Sequence, residues 1–413
     1  MEKMGINSNN SSKDQFNLII ITPTYFTKYL NRLAKHKNDH NVKTKIVTLD
    51  EIYKNKYFEV KGRDNEEKIK YFIKKSLENW NINYTMLVGD IRKMPMRKTH
   101  MWDGIFYTDL YYADIYNKDG SFSSWDTTGN GIIGEYHHSG NTDFLDMGPD
   151  VGIGRLACSN GAELSNVVKK IIYYENKTFG KDWFKKIILC GGDTISNKKR
   201  KIEKYWNWAG RGVFEGEYAN KMVLEELPDF KAVKIWDPKG NLDTISILSE
   251  VSRGAGFVHF SGHGTPLYWF TFKNNLRIAR FGYPFIYFLL NVKKLPIMFF
   301  DGCYIGMLDY SKKGINFPCL AWKLISKKFG GAIATIASAR ASFSGVFQGG
   351  ATMLAYYFFK AYNSNKNATL SDIFMKAQKE YLKNVKDRIA MQEYNLIGDP
   401  SLKIGGYPPK EGG

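Results

Sequence analysis

Two residues stand out for the chemistry that their types and surroundings allow. His263 lies between Gly262 and Gly264, and Cys303 follows Gly302 forty residues later. Each comes just after a short apolar run, 257–261 (FVHFS) and 297–301 (IMFFD), that reads as a buried strand. In open α/β sheets, ligands bind beyond the carboxyl ends of the strands, so both loops belong on the functional edge. Forty residues leave room for one crossover between neighbouring parallel strands, which brings the two side chains to one cleft. The flanking glycines let the backbone turn sharply and approach a ligand. A thiol beside an imidazole suits nucleophilic attack on an acyl group. Free cysteine titrates near about 8.5, and the imidazole favours the thiolate or protonates the leaving amine. Backbone N–H groups of Gly264 and Cys303 are in place to hold the oxyanion, and one such donor is worth about 3 kcal/mol. A cysteine after an apolar strand is also an ordinary core residue, and Cys158, Cys190 and Cys319 fit that description.

Short apolar runs alternate with helical patterns along the chain, the rhythm of an α/β protein with a mostly parallel sheet. Strands are expected at 17–22, 85–89, 186–190, 232–236, 256–260, 296–300 and 332–337, with a short last one at 402–404. Helices are expected at 65–80, 160–175, 242–251, 284–292, 319–329, 351–362 and 370–385. Asp64 and Glu67 are spaced as a capping box for the first of these. The second carries Leu164, Val167, Val168, Ile171 and Ile172 on one face. Two α/β units, 17–178 and 184–404, meet near residues 176–184, and the polar ends 1–16 and 405–413 read as disordered tails.

The chain has 413 residues, long enough for two such units with a core that needs no disulfide staples. Its 59 basic and 41 acidic residues leave a net charge of +18. That charge favours anionic surfaces, but it is spread over helical stretches; the dense cluster is Lys198-Lys199-Arg200-Lys201, in a polar loop. No aromatic–basic module accompanies it, so nucleic acid is not expected as a partner. The longest apolar run, 281–290, is broken by Gly282 and Pro284, so no membrane span is expected. No phosphate-binding GxxxxGK[ST] loop and no zinc spacing of cysteines is present.

A second constellation suggests a structural cation. Asp126, Thr128 and Asn130 place oxygens at positions 1, 3 and 5 of a loop with Gly131 at position 6, the opening of a calcium loop. Position 12 is His137, a poor ligand, so Glu135 at position 10 is the expected carboxylate. The same residues also make ordinary tight turns. If calcium is held, it is expected to stabilise the first unit, with no cofactor needed for the chemistry.

Around His263 and Cys303 the sequence resembles the gingipain family of cysteine peptidases, in the caspase-like clan. The resemblance rests on a succession of stretches in the family's order: 17–23 (NLIIITP), 86–90 (MLVGD), 149–155 (PDVGIGR), 173–176 (YYEN), 261–264 (SGHG), 300–303 (FDGC), 336–338 (IAS) and 398–402 (GDPSL). Together they span residues 17–404. The resemblance implies a caspase-like three-layer α/β/α sandwich in two adjacent subdomains, the second carrying the active site. It places the nucleophile on Cys303, the histidine on His263 and the oxyanion donors on Gly264 and Cys303. The implied reaction is endopeptidase hydrolysis of a polypeptide through an acyl-enzyme, after Arg or Lys. Trp269, six residues after His263, and Phe343 match family positions near the substrate. The family's acidic pocket residue corresponds to 212–218 (GVFEGEY), where the direct counterpart is apolar; basic selectivity then falls to Glu215, or to Glu217. Family members are exported, whereas this sequence opens without an apolar leader, so secretion and a cytoplasmic location are both open. The alternative reading is a catalytically silent caspase-like scaffold or adaptor, against which the retained Cys303, His263 and glycines argue.

Overall fold

The computed structural model describes residues 15–102, 104–192, 215–272, 278–343, 349–385 and 387–409. The basic cluster at 198–201, most of the N-terminal tail and residues 212–214 lie outside them.

Ten strands carry the core: β1 Leu18–Thr22, β2 Thr44–Thr48, β3 Tyr84–Val88, β4 Gly152–Leu156, β5 Lys186–Gly191, β6 Lys231–Trp236, β7 Phe257–Ser261, β8 Ile297–Asp301, β9 Ala334–Ser338 and β10 Tyr394–Ile397. They form one sheet in the order β2-β1-β3-β4-β10-β9-β8-β7-β5-β6. β10 is the join, since it pairs parallel with β4 on one side and antiparallel with β9 on the other. The strands of both expected units therefore share one sheet. Strands β1, β4, β7, β8 and β9 are buried along their whole length, as continuous apolar runs covered on both faces must be.

The principal helices are α1 Thr27–Asn38, α2 Asn65–Trp80, α3 Gly161–Lys177, α4 Glu215–Glu225, α5 Thr244–Arg253, α6 Leu320–Ser326, α7 Gly350–Ser364 and α8 Leu370–Asn384. α1 packs on α3 and α3 on α6, while α4 packs on α7 and α7 on α8, giving helical layers over the sheet. The fold is the expected mixed α/β architecture.

Several local expectations change. Asp64 caps α2 through the Glu67 N–H at 2.8 Å, but Glu67 returns to the N–H of Arg63 at 2.6 Å, one residue before the box partner. The last strand is Tyr394–Ile397, not 402–404; Leu402 and Ile404 are buried in a turn whose Leu402 carbonyl accepts the Leu370 N–H at 3.0 Å. The segment 284–292 is not a helix, for only Phe285–Phe288 makes a single 3-10 turn. The described inner residues of both expected tails are tied to the fold. Phe16 donates its N–H to Trp80 at 3.0 Å, and Tyr407 stacks on His40 with ring centroids 4.1 Å apart.

A buried ion network locks the far end of the chain to α1 and α3. The Lys37 ammonium lies 2.7 Å from Glu175 and 2.6 Å from Asp399, with all three side chains inaccessible to solvent. His36 meets the other Glu175 oxygen at 2.9 Å, and the Lys403 N–H donates to Glu175 at 2.8 Å. Residues 175 and 398–402, two of the stretches singled out in the sequence, thus act as one structural unit. Likewise Arg155, fully buried in β4, makes a bidentate pair with Asp109, both contacts at 2.7 Å, and donates to the carbonyls of Gly89, Met94 and Pro95.

Candidate active site

β7 and β8 run side by side in register, Ser261 opposite Asp301, so the loops that follow them leave the sheet together. The Gly262 N–H donates to the Asp301 carbonyl at 3.0 Å and ties the two exits. Beyond it, His263 and Gly264 pair antiparallel with Phe270 and Trp269 of the strand Tyr268–Phe272, which returns as Ile278–Gly282. The half-buried His263 ring stacks on Phe270 at 5.1 Å and meets Phe272 edge-on at 5.7 Å. His259, four residues earlier in β7, is a different case. It is fully buried, and burial pulls its imidazole down to about 3, so it is a neutral core residue.

Gly264 shows how closely the two loops approach. A Cβ there would fall 2.1 Å from the Cys303 carbonyl oxygen, a distance no side chain tolerates. A Cβ on Gly302 would lie 3.4 Å from the Gly264 nitrogen. The amides of Gly264 and Cys303 are therefore neighbours, as a shared oxyanion site requires. Tyr304, next after the cysteine, holds φ at 60°, a left-handed conformation unusual for a tyrosine. Its N–H bonds the Arg340 carbonyl at 2.9 Å, which anchors the turn to the end of β9. Such strain at a turn between two packed strands is a mark of functional loops.

Cys303 is partly accessible, whereas Cys158, Cys190 and Cys319 are buried. Its Sγ lies 3.1 Å from the Ser342 carbonyl and donates to it. Burial pushes the thiol above its ordinary value, so the resting group is the neutral thiol. Burial raises the other three thiols as well, Cys319 to about 12. Beneath the pair, the buried Asp301 carboxylate accepts from Ser261 at 3.1 Å and Thr352 at 2.6 Å, fixing the end of β8. Arg340 then bridges the site to the rest of the fold through Asp309 at 2.7 Å and the Ile105 carbonyl at 2.7 Å. Asp301, Tyr304, Arg340 and Ser342 were not singled out in the sequence. Only the run 300–303 hinted at one of them, because their roles come from contacts distant in sequence.

The remaining expected substrate residues separate. Phe343 is more than half exposed, next to the Ser342 carbonyl that holds the thiol, and so borders the cleft. Trp269 is completely buried, with its ring 5.0 Å from Phe260. It supports the histidine loop from within the core, so direct contact with substrate is corrected to a positioning role. Glu215 and Glu217 stand in the first turn of α4, not in a surface loop. That turn abuts the histidine strand: a Cβ on Gly216 would lie 2.9 Å from the Ser261 carbonyl. Glu217 is buried.

Of the expected cation residues, Thr128, Asn130 and Glu135 come together. Asn130 donates to Glu135 at 2.6 Å, and the Thr128 hydroxyl lies 3.4 Å from the same oxygen. Asp126 Oδ1 and Glu135 Oε1 are both buried without a hydrogen-bond partner among the described residues. Asp126 Oδ2 is taken by Arg63 and by the Gly131 N–H. Among the described residues, no three of His, Cys, Asp and Glu gather as a metal cluster, so the set is two carboxylates, an amide and a hydroxyl.

Comparison with known proteins identifies the family. The model of peptidase family C25 matches residues 11–405. Among solved structures, the chain is similar to the Arg-specific cysteine proteinase gingipain R (RgpB), with 19% identity, a TM-score of 0.69, and 95% of this chain and 79% of that one covered. It is also similar to the complex of Porphyromonas gingivalis RgpB pro- and mature domains, with 18% identity, a TM-score of 0.69, and 94% and 79% covered. No curated protein matches. The chain belongs to peptidase family C25, the gingipain family, and is a cysteine-type endopeptidase with a polypeptide substrate.

Proposed function

We propose that Cys303 and His263 form the catalytic dyad and that cleavage follows Arg or Lys. The observation that carries this reading is the approach of the two loops at Gly264 and Cys303, which leaves no room for a side chain between them. On substrate binding, the Cys303 proton passes to His263 and Sγ attacks the scissile carbonyl. The Gly264 and Cys303 amides hold the oxyanion as the tetrahedral intermediate forms. His263 gives the proton to the leaving amine, the C–N bond breaks, and water hydrolyses the acyl-enzyme.

Basic selectivity in this reading comes from the first turn of α4, with Glu215 favoured over Glu217. Its test is a panel of fluorogenic peptides with P1 Arg, Lys, Asp, Asn and Leu. Glu215→Gln is expected to lower kcat/KM for P1 Arg by on the order of 10²-fold, because a buried charge loses its partner. Arg preference unchanged in both Glu215→Gln and Glu217→Gln, or turnover only after another residue, removes the pocket assignment.

We also propose that Asp126, Thr128, Asn130 and Glu135 hold a structural calcium ion, supported by the two unpartnered buried oxygens. Calcium at a hundredfold excess over Kd stabilises by about 2.7 kcal/mol. The thermal unfolding midpoint should then rise by about 3 °C over a chelator control. A change below about 1 °C, or one that persists in Glu135→Gln, rules this site out.

A further inference from the structure

The segment 284–292 (PFIYFLLNV) is the longest apolar stretch without a regular element to bury it. After its single 3-10 turn, Tyr287 is 54% exposed, Phe288 69% and Leu290 73%. The turn before β9 adds Phe329 at 57%. The two pieces are in contact: the Asn291 amide donates to the Gly331 carbonyl at 2.8 Å, and Lys327 Nζ reaches the Tyr287 carbonyl at 3.3 Å. The two pieces therefore adjoin, and exposed aromatic and aliphatic groups gathered on one face mark an interaction surface.

Lysines rim it. Lys323 Nζ lies 5.5 Å from the Tyr287 ring and Lys328 Nζ 5.3 Å from the Phe329 ring, while Lys293 and Lys294 are exposed beside Val292. Among the described residues, none of these or Lys327 has an ion pair, and the nearby Glu250 is engaged by Arg253 and Lys186. The patch also has a definite place in the fold. It lies at the amino ends of β8 and β9, whereas Cys303 and Ser342 follow their carboxyl ends, about 17 Å away along each strand.

We propose that this face docks the protein on an anionic lipid surface. Phe288, Leu290 and Phe329 enter the interface, and the lysine rim meets the headgroups with its stems along the apolar boundary. The catalytic cleft then points away from the membrane, open to soluble polypeptides. Apolar groups ringed by unpaired cations fit a lipid surface better than a nucleic acid, which offers no apolar phase to take up leucine and phenylalanine. No helix among the described residues is long and apolar enough to cross a membrane, so the contact is peripheral. The proposal does not depend on the dyad or on basic selectivity.

The test is co-sedimentation of the full chain with vesicles of phosphatidylcholine alone and with 30% phosphatidylserine, at two salt concentrations. Binding is expected only to the anionic vesicles, weakening with salt. The double variant Phe288→Ser, Leu290→Ser should bind at least tenfold more weakly. Lys323→Ser with Lys328→Ser should also weaken binding, by about fivefold for each lysine. Peptidase turnover in solution should be unchanged in both double variants, which shows that they fold. Failure to bind anionic vesicles overturns the proposal. So does binding that both double variants retain, which would assign it to the general +18 charge. A dimer that Phe288→Ser, Leu290→Ser dissolves, without vesicle binding, would instead give the face to a second copy. Binding to duplex DNA that competes with the vesicles and survives the apolar double variant would give it to nucleic acid.

Discussion

Cys303→Ala should fold like the parent chain and lose turnover by on the order of 10⁵–10⁶-fold, the scale seen when the nucleophile of a covalent mechanism is removed. The residue is half-buried and, among the described residues, its thiol makes one hydrogen bond, to the Ser342 carbonyl, so little stability is at stake. Residual rate would come from the oxyanion amides and from positioning alone. His263→Ala should lose less, about 10²–10⁴-fold, because water can carry the proton slowly. The two losses should not add, since the residues act on one proton and one bond. If either variant kept turnover within tenfold of the parent, with its fold intact by circular dichroism, the dyad would be abandoned. The scaffold reading predicts the opposite pattern: a parent chain without turnover on any peptide, and variants identical to it.

Lys37→Met should destabilise the fold by about 3–5 kcal/mol, because it leaves Glu175 and Asp399 as uncompensated buried carboxylates. Burial opposes charge on Lys37, but Asp399 and Glu175 more than reverse this and hold its ammonium above its ordinary range. Burial would likewise raise Glu175, yet Lys37 and the bonds from His36 hold it below its usual 4.5. The signs fix the pH window. The Glu175 contribution is present above about 4.5 and is lost as pH falls through its lower folded value. The Lys37 contribution is present below about 10.5 and is lost as pH rises through its higher one. The network therefore stabilises most between these limits, and the penalty of Lys37→Met should shrink in acid as the carboxylates protonate. Urea unfolding at pH 7 and pH 4 measures both. A loss below 1 kcal/mol at pH 7 would show that the network is not structural.

The strands that lead to His263 and Cys303 were legible because β7 and β8 are short, mainly apolar runs followed by glycine, and those two features place His263 and Cys303 on one edge. α2 was readable to the residue, since its cap and its apolar face agree. Where the reading stopped, a specific conflict explains it. β4 is GIGRL, whose glycines and arginine are poor strand formers; only Asp109 and three carbonyls, far off in sequence, make the buried Arg155 tolerable. α1 buries Leu30, Leu33, His36 and Lys37, so half of its inward stripe is polar and the apolar period is hidden. The segment 284–292 misled in the other direction, because its apolar residues read as the buried face of a helix, whereas Tyr287, Phe288 and Leu290 are exposed. At the site, chemistry-bearing side chains were legible, but their supports were not. Ser342 acts through its carbonyl and Tyr304 through one dihedral angle, which leave no mark on residue type, and the Arg340 side chain finds its partners, Asp309 and the Ile105 carbonyl, far off in sequence. Trp269 shows the converse: position in the sequence marked it as important, and only burial separates support of the loop from contact with substrate.

The most direct test of the account is covalent trapping with peptidyl acyloxymethyl ketones carrying P1 Arg or P1 Leu, followed by peptide mapping. One adduct per chain is expected, on Cys303, formed faster with P1 Arg and absent from Cys303→Ala. An adduct on Cys158, Cys190 or Cys319, or none on a folded chain that cleaves peptides, would contradict it.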